Sequence, residues 1–379
     1  MQILFLFQTA EHVRFRKRTE LLLDEGLAAI IMAFERNSYP MPALPCPYRS
    51  LGNLSHRNYL KRVFPFLRAI GRIRSASGDS GAIYCFGLDM LLLGWLASAG
   101  LNKVLVYEVG DIREVLSGKG LKSSLFRWLE RFLLGRTSLL VVTSGAFITG
   151  YFKKIQGLDH LNYQVVENKL DRKWLNNLQP LKQKEFKEGQ LWIGYFGVLR
   201  CRRSWVLLKS AAAGSAGRIR VYIRGISREI DLEQAETLEN MFYEGPYVSP
   251  DQLPEIYDKV DMIWACYPHR ESERGNWQWA KTVRFYEACY FKKPLIVQSG
   301  TEDSRLVEKY DLGLTIDMGD DSCRVKELME GIKAEDLERW KENLDKLPPE
   351  VYLHTDEHAT LARELINLTG RGVTGHEQD

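Results

Sequence analysis

No stretch of this 379-residue chain is apolar for long enough to cross a membrane. The longest candidate, residues 90–101, is interrupted by Gly94 and falls short of the ~18–20 apolar residues that a span needs. The opening Met1-Gln-Ile-Leu-Phe-Leu-Phe7 lacks a basic flank, so it reads as a first strand and not as a signal peptide. Cysteine is sparse: six residues are scattered from Cys46 to Cys323 with no C-x-x-C pair. That pattern suits reduced thiols in the cytoplasm. Without secretion, the triplets at Asn53 and Asn367 carry no glycosylation reading. There is no Gly-x4-Gly-Lys-Ser/Thr loop and no complete G-x-G-x-x-G after the first strand, which disfavours ATP hydrolysis and dinucleotide reduction. His354 and His358 have helical metal spacing but no third ligand near them in sequence, so no metal site is expected. Short repeats and low-complexity segments are lacking too.

What is present is an ordinary globular composition, 45% apolar and 27% charged, on a length that suits two domains. Charge is divided unevenly. Residues 1–170 carry 22 Lys+Arg against 13 Asp+Glu, a net of +9, and residues 171–379 carry 30 against 36, a net of −6. A basic, aromatic first half suits an anionic membrane surface, a polyanionic saccharide or nucleic acid. The last of these is disfavoured, because no recognition motif accompanies the charge.

Strand and helix patterns alternate along both halves. Apolar strand runs are expected at residues 2–7, 27–33, 81–86, 103–109, 139–143 and 164–168. Helices are expected at residues 11–25, 58–73, 89–99 and 121–134. Residues 36–56 read as loop. Helix 58–73 mixes Lys61, Arg62, Arg68 and Arg72 with Phe64, Phe66 and Leu67, a composition that can lie on anionic lipid. Residues 171–190, polar and without apolar period, read as the connection between domains. The second half continues with strands at 191–196, 219–223, 241–248, 261–265, 294–297 and 314–316. Helices follow near Ser204 and Ser249, at 281–290, across 323–345 and at 357–368. This order predicts an α/β fold of two Rossmann-like domains, 1–170 and 191–350, facing across a cleft. Residues 351–379 form a terminal helix and tail that could pack back on the first domain.

The chain is organised around residues 191–208. A buried strand ends in a glycine turn at Gly197, a short loop carries Arg200, Arg202 and Arg203, and an apolar helix follows. The glycine lets backbone approach a phosphate, the helix end offers unpaired N–H groups, and the arginines add fixed charge. Carboxylates just beyond a strand of an open α/β sheet, such as Asp111, sit where ligands bind.

The order of motifs resembles the GT-B glycosyltransferases, most closely glycosyltransferase family four of the bacterial surface-polysaccharide type. The second half carries the resemblance in Gly194-Tyr-Phe-Gly197 with Arg200 and Arg202, Glu244-Gly-Pro-Tyr-Val248 and Ala265-Cys-Tyr-Pro268. It continues with Arg284-Phe-Tyr-Glu-Ala288, Lys292-Lys-Pro-Leu-Ile-Val297 and Leu312-Gly-Leu314. The first half matches through Tyr107-Glu-Val-Gly-Asp111, Leu129-Glu-Arg131 and Val142-Thr-Ser144.

The resemblance implies a metal-independent glycosyltransferase with no cofactor beyond its nucleotide-sugar donor, acting on a glycan or lipid-linked glycan acceptor. It implies that Gly197, Arg200 and Arg202 meet the diphosphate, with Lys281 and Thr282 supporting it. Arg284 would lie beside the donor, Glu287 would accept from the ribose hydroxyls, and Tyr247 would border the base. His269, Arg270 and Trp277 are candidates for sugar selection. Retaining members carry two glutamates separated by seven residues, but the first position here is Trp279. They also carry a histidine where this chain has Gly110. An inverting reaction needs a general base instead. Asp111 is the first choice and Glu108 the second, with Thr9, His12 and Arg14 as acceptor-side residues. A second reading is a catalytically inactive GT-B-like protein that binds a nucleotide or glycan for a partner enzyme. The expected location is cytoplasmic, peripheral on the inner membrane face.

Overall fold

The computed structural model describes residues 1–10, 12–35, 43–53, 63–176, 178, 189–227, 229–266 and 275–374. His269, Arg270, Lys61, Arg62 and most of the expected connection at 171–190 lie outside them. The chain divides into two compact units. Unit 1 comprises Met1–Asn168 and Thr355–Asp379, and unit 2 comprises Lys169–His354.

Unit 1 is a seven-stranded parallel sheet in the order β3-β2-β1-β4-β5-β6-β7. Its strands are β1 (Gln2–Phe7), β2 (Ala28–Glu35), β3 (Tyr48–Asn53), β4 (Ala82–Phe86), β5 (Val104–Val109), β6 (Leu139–Val142) and β7 (Tyr163–Val165). The helices are α1 (Val13–Asp24), α2 (Val63–Ser77), α3 (Leu88–Ala97), α4 (Glu114–Ser117) and α5 (Leu121–Leu134), with a π-helical segment at Phe147–Lys153. β1 and β4 are continuous apolar runs because helices cover both faces of an all-parallel sheet. β3 departs from the expected loop. It is a polar edge strand in which Leu51 alone is buried, so it carries no apolar signature.

Unit 2 opens with the short α6 (Arg172–Leu175), where the sequence reading has a connection. Leu170 and Leu175 are buried in the core of this unit. The six-stranded parallel sheet has the order β10-β9-β8-β11-β12-β13. Its strands are β8 (Leu191–Val198), β9 (Ile219–Ile226), β10 (Met241–Tyr243), β11 (Met262–Trp264), β12 (Leu295–Gln298) and β13 (Gly313–Ile316). Its helices are α7 (Arg202–Gly214), α8 (Leu253–Asp258), α9 (Val283–Tyr290), α10 (Glu302–Tyr310), α11 (Ser322–Glu330) and α12 (Ala334–Lys346). The chain then returns to unit 1 as α13 (Glu357–Thr374), whose Leu361, Ala362 and Leu365 join the core under β1 and β2.

Both sheets reverse their strand order once, between β1 and β4 and between β8 and β11. In an open parallel sheet, ligands bind beyond the strand ends at such a point.

Candidate active site

In unit 2 the crevice beyond β8 and β11 is built from the residues that end those strands. Gly197 has φ +102° and pairs in register with Gly225, φ +140°. A β-carbon on Gly225 would overlap the Gly197 carbonyl. One glycine is therefore required by backbone angle, and the other by both angle and crowding. Arg284, in the first turn of α9, donates from Nη1 to the Phe196 carbonyl and from Nη2 to the Cys266 carbonyl, each at 3.1 Å. Its guanidinium also lies 5.4 Å from the centre of the Tyr195 ring. Arg284 thus ties the two strand ends together across the reversal and is spent on building the crevice.

Glu287, one turn further along α9, is 6% exposed. The Tyr257 hydroxyl donates to its Oε2 at 2.8 Å. Burial first, and the Glu287 charge second, push the Tyr257 and Tyr247 hydroxyls up in pKa, so both remain donors at neutral pH. The Tyr247 hydroxyl lies 3.8 Å from the place a β-carbon on Gly197 would take. The turn that presents Tyr247 is held by buried Arg224, which donates to the carbonyls of Gly245 (3.2 Å) and Pro246 (2.9 Å). Tyr222 and Lys259 both donate to Glu244, the residue before that turn.

Thr282 is the N-cap of α9, its hydroxyl accepting from the Phe285 N–H at 3.2 Å. Its own N–H donates to Asp303 at 3.0 Å. The Lys281 ammonium lies 5.0 Å from the Tyr286 ring centre and 5.3 Å from that of Phe285. Arg200 is exposed, and Arg202, also exposed, opens α7. Arg203 is committed elsewhere, donating to the Met318 carbonyl (2.8 Å) and to that of Asp320. Two arginines in the first turn of a helix oppose its dipole, and an anion there relieves that opposition. Trp277 is half-buried in a single helical turn at Asn276–Gln278.

In unit 1, Arg14 pairs with Asp111 at 3.2 Å, with Asp111 half-exposed. A β-carbon on Gly110 would overlap the Arg14 guanidinium, so the glycine makes room for this pair. Gln8 and Arg113 both donate to Asp89 at the same strand edge. Thr9 is buried. His12 is exposed, its ring stacked on Phe15 at 4.1 Å.

Glu108 has a different role from the general base expected as second choice. It is 1% exposed, accepts from Arg18 Nε at 3.1 Å and from the Tyr84 hydroxyl at 2.6 Å. A carboxylate buried and paired in this way is closed off from a substrate hydroxyl. Arg18 also donates to the Val166 carbonyl (2.7 Å) and to His358 Nε2 (2.6 Å). Because arginine only donates, His358 accepts and carries its proton on Nδ1. His358 is therefore bound into this network. Among the described residues, no group of three His, Cys, Asp or Glu is placed to hold a metal.

Tyr257, Arg224 and Asp303 escape the sequence reading, since each acts through another residue and no local pattern marks the first two. Asp303 has the clearest signal, sitting within the capping box that opens α10.

No family model matches the chain. It is similar to the succinoglycan biosynthesis protein ExoL of Rhizobium meliloti, 28% identical over 338 residues, covering 84% of this chain and 82% of that protein. Among solved structures it is similar to HepE of Anabaena in complex with UDP and glucose (TM-score 0.66, 15% identical, 97% of this chain and 100% of that one). Sucrose-phosphate synthase of Thermosynechococcus elongatus aligns with TM-score 0.70 at 12% identity, covering 98% and 100%. WaaG, a glycosyltransferase involved in lipopolysaccharide biosynthesis, aligns with TM-score 0.64 at 13% identity, covering 96% and 99%. Two parallel α/β sheets with this strand order and these neighbours are the GT-B fold.

Proposed function

We propose that this chain, a GT-B glycosyltransferase, moves a sugar from a nucleotide-sugar donor to a glycan or lipid-linked glycan in surface-polysaccharide synthesis. The observation that carries the donor site is the convergence of Gly197, Tyr247 and Glu287 at the β8/β11 reversal, with Arg284 fastening the strand ends beneath them. The likeness to HepE, solved with UDP and with UDP-glucose, supports a uridine nucleotide.

The diphosphate would lie against the first turn of α7, where Arg200 and Arg202 supply charge that stabilises the leaving phosphate without a metal. Lys281 would support it from the turn before α9. Glu287 would accept from the ribose hydroxyls while the Tyr257 hydroxyl holds the carboxylate in position, and Tyr247 would border the base. In unit 1, Asp111 would take the proton of the attacking hydroxyl, with Arg14 orienting its carboxylate and Thr9 and His12 beside the acceptor. A lipid-linked acceptor would bring the enzyme peripherally to the inner membrane face.

The test is turnover of a panel of UDP-sugars with and without chelator. Full activity in chelator is expected. Glu287→Ala and Arg202→Ala should each lower kcat/KM by about 30- to 150-fold, since a hydrogen bond to a charged group contributes about 2–3 kcal/mol. Unchanged turnover in both variants would remove the proposed donor site.

A further inference from the structure

α5 of unit 1 carries an apolar stripe on its outer side. Leu121, Leu125 and Trp128 are 92%, 62% and 59% exposed, at the i, i+4 and i+7 spacing that puts them along one line. α2, α3 and α5 lead into β4, β5 and β6 of one parallel sheet, so they run in the same direction with their N-termini at the same sheet edge. α2 packs on α3 and α3 on α5. Arg74 of α2 reaches the Ala97 carbonyl, and Trp95 meets Phe132 edge-on at 5.3 Å. The first turns of α2 add Phe64 and Leu67, both 62% exposed, at the end of the layer where Leu121 and Leu125 stand.

The charge around this apolar surface is mostly of one sign. α2 and α5 together contain Arg68, Arg72, Arg74, Lys122, Arg127 and Arg131. Their one acidic residue, Glu130, is fully buried under Tyr107, Tyr151 and Gln156. Asp89, in the first turn of α3, and Asp111, in the loop after β5, are paired with Arg113 and Arg14. Glu114 on α4 and Asp79, at the far end of α2, are exposed acids beside these helices. Arg68 lies over the exposed Phe64 ring and Arg136 over the half-buried Phe132 ring, so cations stand beside aromatic rings of both helices. A solvent-facing helix would interleave both signs. Apolar side chains ringed by cations match a bilayer interface, where acyl chains take the first and anionic headgroups the second.

We propose that the outer side of α5, with the first turns of α2, docks on an anionic lipid bilayer. This rests on the peripheral reading given above and names the surface that makes the contact.

The test is sedimentation of the intact chain with vesicles of phosphatidylcholine alone and of phosphatidylcholine mixed with phosphatidylglycerol, without nucleotide sugar. Binding to the anionic vesicles that fades with salt is expected, with little binding to the neutral ones. The double variant Leu121→Glu/Leu125→Glu should bind about tenfold more weakly or less. Phe242→Glu, which changes an exposed apolar residue of unit 2, should bind as the unaltered chain does. Lys122→Glu/Arg68→Glu gives a second reading of the same surface should the leucine variant unfold.

No binding to anionic vesicles at low salt would overturn the proposal, as would equal binding by both surface variants. Self-association that the double variant abolishes, without vesicle binding, would instead assign the stripe to a second copy of the chain. UDP-sugar turnover on a soluble acceptor, measured in parallel, should not change in these variants. Failure of the docking surface is thereby distinguished from failure of the transfer reaction.

Discussion

The two units share one topology and use their buried carboxylates in opposite ways. In unit 1, Glu108 on β5 is met by a buried guanidinium and a tyrosine hydroxyl, and the same guanidinium reaches on to α13. In unit 2, the guanidinium at the strand reversal goes to two carbonyls, and Glu287 is held by the Tyr257 hydroxyl. A neutral hydroxyl leaves the charge of the acid it holds in place, whereas a buried guanidinium compensates it, so that removing the guanidinium leaves an uncompensated charge. The same kind of sheet therefore carries one buried acid on a strand paired with a guanidinium and another on a helix held by a tyrosine hydroxyl.

Several substitutions would break or sharpen this contrast. Arg18→Ala leaves Glu108 uncompensated and should cost unit 1 about 3–5 kcal/mol. Denaturant unfolding should show that loss while donor binding by the folded protein persists. Tyr257→Phe should do the reverse, weakening donor binding about tenfold by calorimetry while costing about 1–3 kcal/mol of stability, because a buried carboxylate loses one donor. An equal effect of both changes on donor binding would erase the distinction. Thr282→Ala removes the cap of α9 and should cost about 1 kcal/mol, read as a small fall in thermal midpoint.

The smallest effect concerns Glu130. Burial raises its pKa above the ordinary 4.5, outweighing donors from Tyr151, Tyr107 and Gln156. The folded state then binds more protons than the unfolded one between those two values. Its contribution to stability is full below 4.5 and declines as pH rises through the folded value. Glu130→Gln should flatten that part of the stability–pH curve, measured by unfolding across pH 4 to neutrality.

Most of the fold was legible because a parallel sheet covered on both faces must be built from apolar runs. β1, β4, β5, β6, β8 and β12 all stand in the sequence within a residue or two of their observed ends. The polar edge strand β3 gives no such run. Strand 241–248 shortens to Met241–Tyr243, because the Gly245-Pro246 turn follows it directly. α10 was not read, being only nine residues and half charged. At the candidate site, the glycine turn was readable from local pattern, and the acid on α9 only from the family resemblance. Arg18 on Glu108 was not, since the partners are 90 residues apart, and sequence spacing says nothing about which distant cation reaches a buried acid. Arg284 was read as a donor-side residue, but its destination at two carbonyls depends on where β8 and β11 end.

The path of the chain between the units has a consequence for how the protein is made. Unit 2 is spelled out between the two segments of unit 1, and Arg18 and His358 are 340 residues apart. At roughly 5–20 residues per second, a ribosome needs on the order of tens of seconds to deliver His358 after Arg18 has emerged. Throughout that interval the nascent first half lacks α13, and its Arg18–Glu108 pair is unsealed on one side. Unit 2 takes the last residues of its own core, Tyr352 and Leu353, just before α13 is made. The body begun first thus waits for the second to be spelled out, and a chain stopped before α13 would carry an unfinished amino-terminal body.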